Sequence, residues 1–377
     1  MFSKEERQRR LDAASALMSE NGLNAIMLIG NGATAIRAYG CFRYFVDNRI
    51  YYHMQGAILL PSGEAAIAAA SPTHILPLHL RGFDDVTLCG EDIIGGIIRV
   101  MKAKGVTSGK IGASLEMVPY GYYQRLKAEL PEIELVDVTE KIFTLRASRS
   151  PEETALYPIC AKVADIGYKA VCEAAKPGMA EHEISAVLDH AMKLNGAEET
   201  FTLMSSGRFS LEDNKLPMLH YSAAPSRILQ QGDSISLEIT PRCQGYWAQL
   251  VRTISIGEPS EGLKTMHRVV TGAIEGAAKL LTPGRKMADV IAFVDDYVTK
   301  AGFIPSLPLG HICAVDLNEE RVDRSSPVVL SEGMAVILHP TVLAEGLTSG
   351  IYWGETYLVT KDGGKCLAES SKELLIV

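Results

Sequence analysis

The chain has 377 residues, of which 47% are hydrophobic and 22% charged, and its formal net charge is -8 with neutral histidines. A chain of this length is too long for one compact core, so two domains are expected. The charge forms neither an acidic tail nor a basic block. This pattern argues against nucleic acid or an anionic membrane as the main partner and favours a small molecule or a peptide.

The cysteines and the first segment indicate the compartment. Seven cysteines are scattered along the chain without a C-x-x-C pair, a pattern typical of reduced thiols rather than of a disulfide framework or a structural zinc site. Residues 1–22 carry charge at helical spacing and lack the apolar core of a signal peptide. No apolar stretch of the sequence approaches the ~20 residues that span a bilayer. We therefore expect a cytoplasmic protein that is not inserted in a membrane.

After the first predicted helix, short apolar runs alternate with helix-like stretches. The strand-like runs lie at 24–32, 56–70, 109–115 and 133–138. Helices are predicted between them at 91–105 and 121–132. The alternation indicates an α/β domain built on a layered sheet.

A domain boundary is predicted where the composition changes. Residues 145–154, LRASRSPEET, are polar and basic, and their proline lies at the predicted start of a helix. A long periodic run, 155–175, follows. We therefore expect an N-terminal domain of residues 1–146 and a second domain of residues 147–377.

The second domain contains an internal repeat. Residues 177–196 align without a gap to residues 283–302, and each copy starts with Pro-Gly, continues as an amphipathic helix and ends at a glycine. Chance similarity between two amphipathic helices is the alternative. Duplication predicts a pseudo-twofold domain with its active site at the seam between the halves.

Four segments in the last part of the chain carry a family resemblance. They are GDSISLEITPRCQGYWAQLVRTISIGEP (232–259), LGHI (309–312), SEGMAVILHP (331–340) and YWGETYLVTKDG (352–363). Their order and spacing resemble the pita-bread family of creatinase, prolidase and methionine aminopeptidase. The resemblance implies an α/β (α+β) fold, with a creatinase-like N-terminal domain and a catalytic pita-bread domain, and it implies a homodimer.

The resemblance also assigns metal-ligand positions. Metal-dependent members of the family use Asp, Asp, His, Glu and Glu, and the matching residues here are Glu238, Gln249, His311, His339 and Glu355. An amide at 249 and an imidazole at 339 replace two carboxylates, so a site for two metal ions is not expected. We expect no cofactor. A single divalent ion held by Glu238, His311, His339 and Glu355 is the open alternative.

The closest motifs belong to creatinase, which acts without metal. The resemblance makes His220 the proton shuttle and Glu355 and Glu238 the catalytic carboxylates. A histidine with a near-neutral pKa suits this role. The alternative is that His220 is an ordinary core residue.

Further residues are expected to bind the substrate. The resemblance places His311, His339 and Gln249 in the pocket. Trp247 and Trp353 lie beside presumed site positions, where their rings would hold a cationic group, and core packing is the alternative for both. In the N-terminal domain, Arg49 is the candidate that reaches the partner's pocket in the dimer.

The function predicted from the sequence is metal-independent hydrolysis of a C–N bond, in an amidine or amide, of a small zwitterionic or cationic substrate. A single-metal Xaa-Pro peptidase or a small-molecule lyase is the second hypothesis. The third is a non-catalytic binding protein that uses the same fold.

Overall fold

The computed structural model describes residues 2–31, 40–50, 53–207, 220–221, 227–306, 308–347 and 350–377, with only the backbone at 220, 221, 321 and 347. The chain divides into two compact units, Met1–Glu152 and Glu153–Val377. The domain boundary predicted after residue 146 stays a prediction of the sequence pattern.

The first unit is a mixed sheet with helices. Its described strands are β1 (Ala25–Asn31), β2 (Met54–Leu59), β3 (Ala65–Ala69), β4 (Val86–Leu88), β5 (Gly109–Ala113) and β6 (Ile133–Asp137). Its described helices are α1 (Lys4–Asn21), α2 (Gly40–Val46), α3 (Ile75–Leu80), α4 (Ile93–Ala103), α5 (Tyr120–Glu129) and α6 (Thr139–Ala147). The strand order is β4-β3-β2-β1-β5-β6. Strands β1, β5 and β6 run parallel, and β2 is antiparallel to β1, so the predicted α/β layer is confirmed.

Helix α4 illustrates how the sequence produces this packing. The side chain of Asp92 caps the helix by accepting a hydrogen bond from the backbone N–H of Gly95 at 3.1 Å. Ile97 of the helix belongs to the buried core of this unit. A Cβ added at Gly56 of β2 would collide with Ile97. The helix therefore lies close to the sheet because position 56 has no side chain.

The second unit begins within the short helix α7 (Pro151–Thr154). Its long helices are α8 (Leu156–Ala174), α9 (Glu181–Leu194), α10 (Glu261–Ala278) and α11 (Met287–Lys300). Its described strands in the first half are β7 (Glu199–Gly207), β8 (His220–Tyr221), β9 (Ser234–Cys243), β10 (Tyr246–Trp247) and β11 (Leu250–Ser255). Those in the second half are β12 (Ile304–Ser306), β13 (Gly310–Cys313), β14 (Glu320–Arg321), β15 (Ala335–Leu338), β16 (Thr341–Leu343), β17 (Gly350–Tyr352), β18 (Gly354–Thr360), β19 (Gly363–Cys366) and β20 (Leu375–Ile376).

One large sheet connects the two halves of this unit. Its main path is β14-β13-β15-β18-β11-β9-β7-β8, and neighbouring strands along this path are antiparallel. Helix α8 packs against α9 and β9, and α10 packs against α11. Strands β9 and β11 come from the first half and β15 and β18 from the second, so the middle of the sheet is where the halves meet.

The predicted duplication is confirmed by identical backbone contacts in the two halves. The N–H of Gly178 donates to the carbonyl of Leu229 at 2.9 Å, and the N–H of Gly284 donates to the carbonyl of Leu330 at 2.8 Å. Two residues after each glycine, an isolated antiparallel bridge joins the same two segments. Each Pro-Gly turn is therefore attached in the same way to the segment that leads into a central strand.

Two further properties concern the cysteines and the helices. All seven cysteines lie in the described ranges and are free thiols. No described helix has both the length and the apolar composition needed to cross a bilayer.

Candidate active site

Strand pairing decides which side chains share a face with Glu238 of β9. Val251 of β11 lies opposite Glu238, and Gly354 of β18 lies opposite Val251. Directly paired residues of antiparallel strands point to the same side, and side chains alternate along each strand. Glu238, Val251 and Gly354 therefore share one side of the sheet, which we call the site face. Leu250 and Glu355 pair with each other and point to the opposite face.

Two histidines also lie on the site face. His311 of β13 is opposite Ile337 of β15, and Ile337 is opposite Thr356 of β18. Thr356 lies two residues after Gly354, so it points to the site face, and His311 therefore does so too. His339 lies two residues after Ile337 and follows the same alternation. The ring centroids of His311 and His339 are 5.3 Å apart in an edge-on arrangement. The structure therefore brings both predicted histidines to the face that carries Glu238.

Tyr352 connects the carboxyl group to one of these histidines. Its hydroxyl donates to Oε2 of Glu238 at 2.8 Å and lies 3.0 Å from Nδ1 of His339. A hydroxyl has one proton, and the ionised carboxylate of Glu238 accepts it. Nδ1 of His339 must then donate to the hydroxyl oxygen, which leaves Nε2 of that imidazole as a hydrogen-bond acceptor.

The two residues that Tyr352 joins are equivalent in the two halves. Glu238 lies six residues after Gly232, and His339 lies six residues after Gly333. Each of these glycines has a positive φ, 86° and 81° respectively, in the turn before its strand. The carboxyl and the imidazole therefore stand at matching positions of the duplicated unit.

Burial sets the protonation of this pair. It raises the pKa of Glu238 to about 7, against the opposing effect of the hydrogen bond from Tyr352. It lowers the pKa of His339 to about 4. At neutral pH the Glu238 carboxyl therefore gains and loses a proton readily, whereas His339 is neutral.

Glu355 belongs to a different cluster. Arg252 donates to its Oε2 at 2.7 Å, the hydroxyl of Tyr357 donates to its Oε1 at 2.6 Å, and Nζ of Lys372 lies 3.4 Å from Oε1. Burial raises the pKa of Glu355, but these partners together hold it below its usual value. The prediction that Glu355 acts beside Glu238, as a catalytic carboxylate or as a ligand of the same ion, is wrong because strand alternation turns it to the opposite face.

The two tryptophans are core residues in this structure. Trp247 is 0% and Trp353 is 1% exposed. The guanidinium of Arg242 lies 5.2 Å from the ring of Trp247, and that of Arg252 lies 4.5 Å from the ring of Trp353. Each ring is packed in the interior with an arginine guanidinium already over it, so the cation that it holds belongs to the protein itself. The prediction that these rings hold a cationic group is therefore corrected in favour of core packing.

Gln249 continues the site face beyond β11, whereas Arg49 and His220 lie elsewhere. Gln249 precedes β11 and is 2% exposed. Arg49 belongs to the first unit and is half-buried beside a cavity that His74 and Arg81 also line. The backbone of His220 pairs with Met204 of β7, and its side chain lies outside the described part of the chain. The roles given to Arg49 and His220 stay predictions.

The donors on the site face do not fit a pair of divalent ions. Such ions need bridging carboxylates, whereas the predicted ligand positions on this face supply one, Glu238, with the amide of Gln249 and two imidazoles. A Cβ at Gly354 would lie 2.6 Å from Cβ of His339, so that position has no room for a further carboxylate. Within the described ranges, no three His, Cys, Asp or Glu side chains are grouped to hold a metal.

Comparisons with known proteins agree with this architecture. Residues 155–361 match the model of metallopeptidase family M24, and residues 10–148 match the creatinase/prolidase N-terminal domain. The chain is 26% identical to an Xaa-Pro dipeptidase of Pyrococcus horikoshii, over 86% of this chain and 91% of that protein. It is 25% identical to a creatinase of Bacillus sp., over 90% of this chain and 82% of that protein.

A solved structure shows the same fold. The Xaa-Pro dipeptidase from Bacillus anthracis superposes with a TM-score of 0.84 at 21% identity, over 98% of this chain and 100% of that one. The family model covers more than half of the chain, so the chain belongs to metallopeptidase family M24. It is a hydrolase of the creatinase and aminopeptidase P type, which acts on C–N bonds.

Sequence reasoning missed Tyr352, although a signal was available. Tyr352 lies two residues before Gly354, in the same segment that supplied the family motif. A tyrosine within this run was a candidate partner for a buried carboxyl, because a buried phenolic O–H usually needs an acceptor.

Proposed function

We propose that this chain hydrolyses a C–N bond of a small amide or amidine bound at the site face, without a pair of metal ions. The observation that carries the proposal is the Tyr352 hydroxyl held between Glu238 and His339. It joins a neutral imidazole to a carboxyl whose pKa is about 7. A group of that pKa suits general acid–base catalysis near neutral pH.

The proposed reaction uses one transferred proton. A general base takes a proton from water as the water oxygen adds to the carbon of the C–N bond. The same proton then passes to the leaving nitrogen as that bond breaks, which gives an amine and, from an amide, a carboxylic acid. Glu238 is the proposed base among the described side chains. His220 is retained as a second candidate on the family resemblance alone.

His339 supports this reaction through the tautomer that it adopts when Glu238 is ionised. Because its Nδ1 proton is directed to Tyr352, its Nε2 is available to accept a hydrogen bond from the attacking water or from a substrate N–H. Its low pKa keeps it in this neutral form across the neutral range. We assign His339 an orienting role and give the proton transfer to Glu238.

The rival proposal is an Xaa-Pro peptidase that uses one divalent ion, and it is favoured by the similarity to Xaa-Pro dipeptidases. Elemental analysis of protein purified without chelator separates the two. We expect less than one equivalent of metal and unchanged hydrolysis of small amides after dialysis against EDTA. Loss of activity on dialysis, restored by adding back a divalent ion, would favour the rival.

Substitution of the proposed base tests the site directly. Glu238→Gln keeps the shape of the side chain and removes its proton transfer, so we expect kcat to fall by about 100-fold or more. Glu332→Gln is the matched control, because Glu332 is exposed, and its kcat should equal that of the wild type. An unchanged kcat in Glu238→Gln would remove Glu238 from the mechanism.

We also propose a cytoplasmic location and a homodimer. The seven free thiols support a reducing compartment. The dimer rests on the family resemblance.

A further inference from the structure

The amide of Gln249 is buried on the site face with neither polar atom paired. The N–H of Ala248 donates to the carbonyl of Pro241 at 3.4 Å, which continues the pairing of β11 with β9 and puts Gln249 opposite Thr240. Gln249 is 2% exposed. Neither its Oε1 nor its Nε2 has a hydrogen-bond partner among the residues that the structure describes.

Thr240 contributes a second unpaired group at the same place. It lies two residues after Glu238 on β9, so both side chains point to the site face. Thr240 is fully buried, and its Oγ1 also has no partner within the described ranges. An acceptor, an NH2 donor and a hydroxyl are therefore contributed by facing residues of two neighbouring strands, next to the proposed catalytic carboxyl.

The backbone of Gln249 is fixed by contacts on both sides of its α-carbon. Oγ1 of Thr356 accepts from the Gln249 N–H at 2.8 Å and donates to the Gln249 carbonyl at 3.0 Å. A buried amide without a partner destabilises the free protein, so such groups in native structures usually have a reason to remain unpaired. A ligand that supplies both hydrogen bonds is such a reason.

We propose that Gln249 and Thr240 form the subsite that recognises an uncharged carboxamide group of the substrate. A carboxamide N–H matches Oε1 of Gln249, and its carbonyl oxygen matches Nε2. An ammonium group would face the Nε2 donor without an acceptor for it, and a carboxylate would face Oε1 without a donor. The inference rests on the proposed function and narrows its substrate from an amide or amidine to a molecule whose recognised group is a neutral carboxamide.

Three probes of similar size test this subsite: propionamide, propylammonium and propionate. Binding to the full chain is measured by saturation-transfer NMR, without turnover. We expect propionamide to bind and the two ions to bind at least about tenfold more weakly, since each ion loses a hydrogen bond and leaves a buried group unpaired. Gln249→Met, of similar volume, should weaken propionamide binding by about tenfold or more, and Thr240→Val by less.

Thermal melting of the same variants separates binding from a structural role. If Gln249 serves the ligand, Gln249→Met melts at the same temperature as the wild type or higher, because an unpaired buried amide is removed. A lower melting temperature with unchanged propionamide binding would overturn the proposal, since the amide would then be paired within the protein or to a fixed water. Equal binding of the three probes, or no binding of propionamide, would overturn it too.

The proposed reaction and the proposed subsite can be contradicted by different results. Glu238→Gln should still bind propionamide. A chain that binds propionamide through Gln249 but hydrolyses no amide contradicts the proposed reaction and leaves the subsite standing.

Discussion

The hydroxyl of Tyr352 contacts both Glu238 and His339, so its removal changes two groups at once. The hydrogen bond from Tyr352 lowers the pKa of Glu238, so in Tyr352→Phe that pKa should rise further above about 7. In the pH profile, kcat should rise as Glu238 ionises, and we expect this rise to move to higher pH in the variant. At pH 7, kcat should then fall about tenfold.

The pH dependence of kcat checks this prediction. Tyr120→Phe is the control, because Tyr120 is 72% exposed and should leave the profile unchanged. Superimposable profiles of Tyr352→Phe and the wild type would show that the hydroxyl does not act on Glu238.

The raised pKa of Glu238 also has a consequence for stability. A carboxyl whose folded pKa is about 7, above its usual 4.5, stabilises the fold below pH 4.5, and this contribution is lost as the pH rises through 7. Glu238→Gln has no such ionisation. Between pH 5 and pH 8.5 the wild type should therefore lose unfolding free energy relative to Glu238→Gln, by an amount on the order of 2 kcal/mol.

Urea unfolding of both proteins at the two pH values measures this difference. Using the difference between the two proteins cancels the titration of groups distant from Glu238, and His339, with a pKa of about 4, stays neutral at both pH values. Parallel pH dependences would show that Glu238 is ionised at a normal pH in the folded chain.

The error over Glu355 shows where sequence reasoning stops at the residue scale. The motif identified the strand correctly, but neighbouring residues of a strand point to opposite faces, so an error of one residue places a side chain on the wrong face. The pairing of Leu250 with Glu355 and of Val251 with Gly354 decides which of the two side chains shares the face of Glu238. Sequence spacing contains no record of that pairing, so Glu355 was grouped with Glu238 and the partner Arg252 was not foreseen.

At the scale of elements, the end of β15 and the residue after it pack directly against Gly354 of β18. A Cβ at this position would collide with the carbonyl of Leu338 and lie 2.5 Å from Cα of His339. Gly354→Ala should therefore destabilise the fold by about 1–3 kcal/mol and displace His339. Gly262→Ala in α10 is the control, because its new Cβ would meet only Ser260 Oγ at 3.8 Å, and it should be neutral or stabilising by about 0.5–1 kcal/mol.

Denaturant unfolding and kcat together measure both variants. An unfolding free energy of Gly354→Ala equal to that of the wild type would mean that the two strands separate at no cost, contrary to the packing described.

The elements themselves were largely predictable. Four apolar runs and two helix-like stretches of the first unit predicted β1 to β3, β5, β6, α4 and α5, because the apolar runs are bounded by turn residues and alternate with the helix-like stretches. The unpaired hydroxyl of Thr240 and the burial of the Gln249 amide were not predictable from the sequence. Whether a buried side chain finds a hydrogen-bond partner depends on neighbours that are distant in sequence.

At the scale of the whole molecule, the family resemblance predicts a dimer. Sedimentation equilibrium at micromolar concentration should give twice the mass of the chain. A concentration-independent monomer mass would contradict the prediction and would remove Arg49 from any pocket of a partner. The chain order of the motifs was enough to predict the overall fold, since four segments with fixed spacing leave few alternatives.

The duplication described above also has a historical implication. The row Glu238–Tyr352–His339 takes its carboxyl from the first repeat and its phenol and imidazole from the second. A single ancestral repeat could complete such a row only by pairing with a copy of itself, in which both contributions were identical. Two copies in one chain can each change independently, and the carboxyl at 238 with an imidazole at the equivalent position 339 is an asymmetry of that kind.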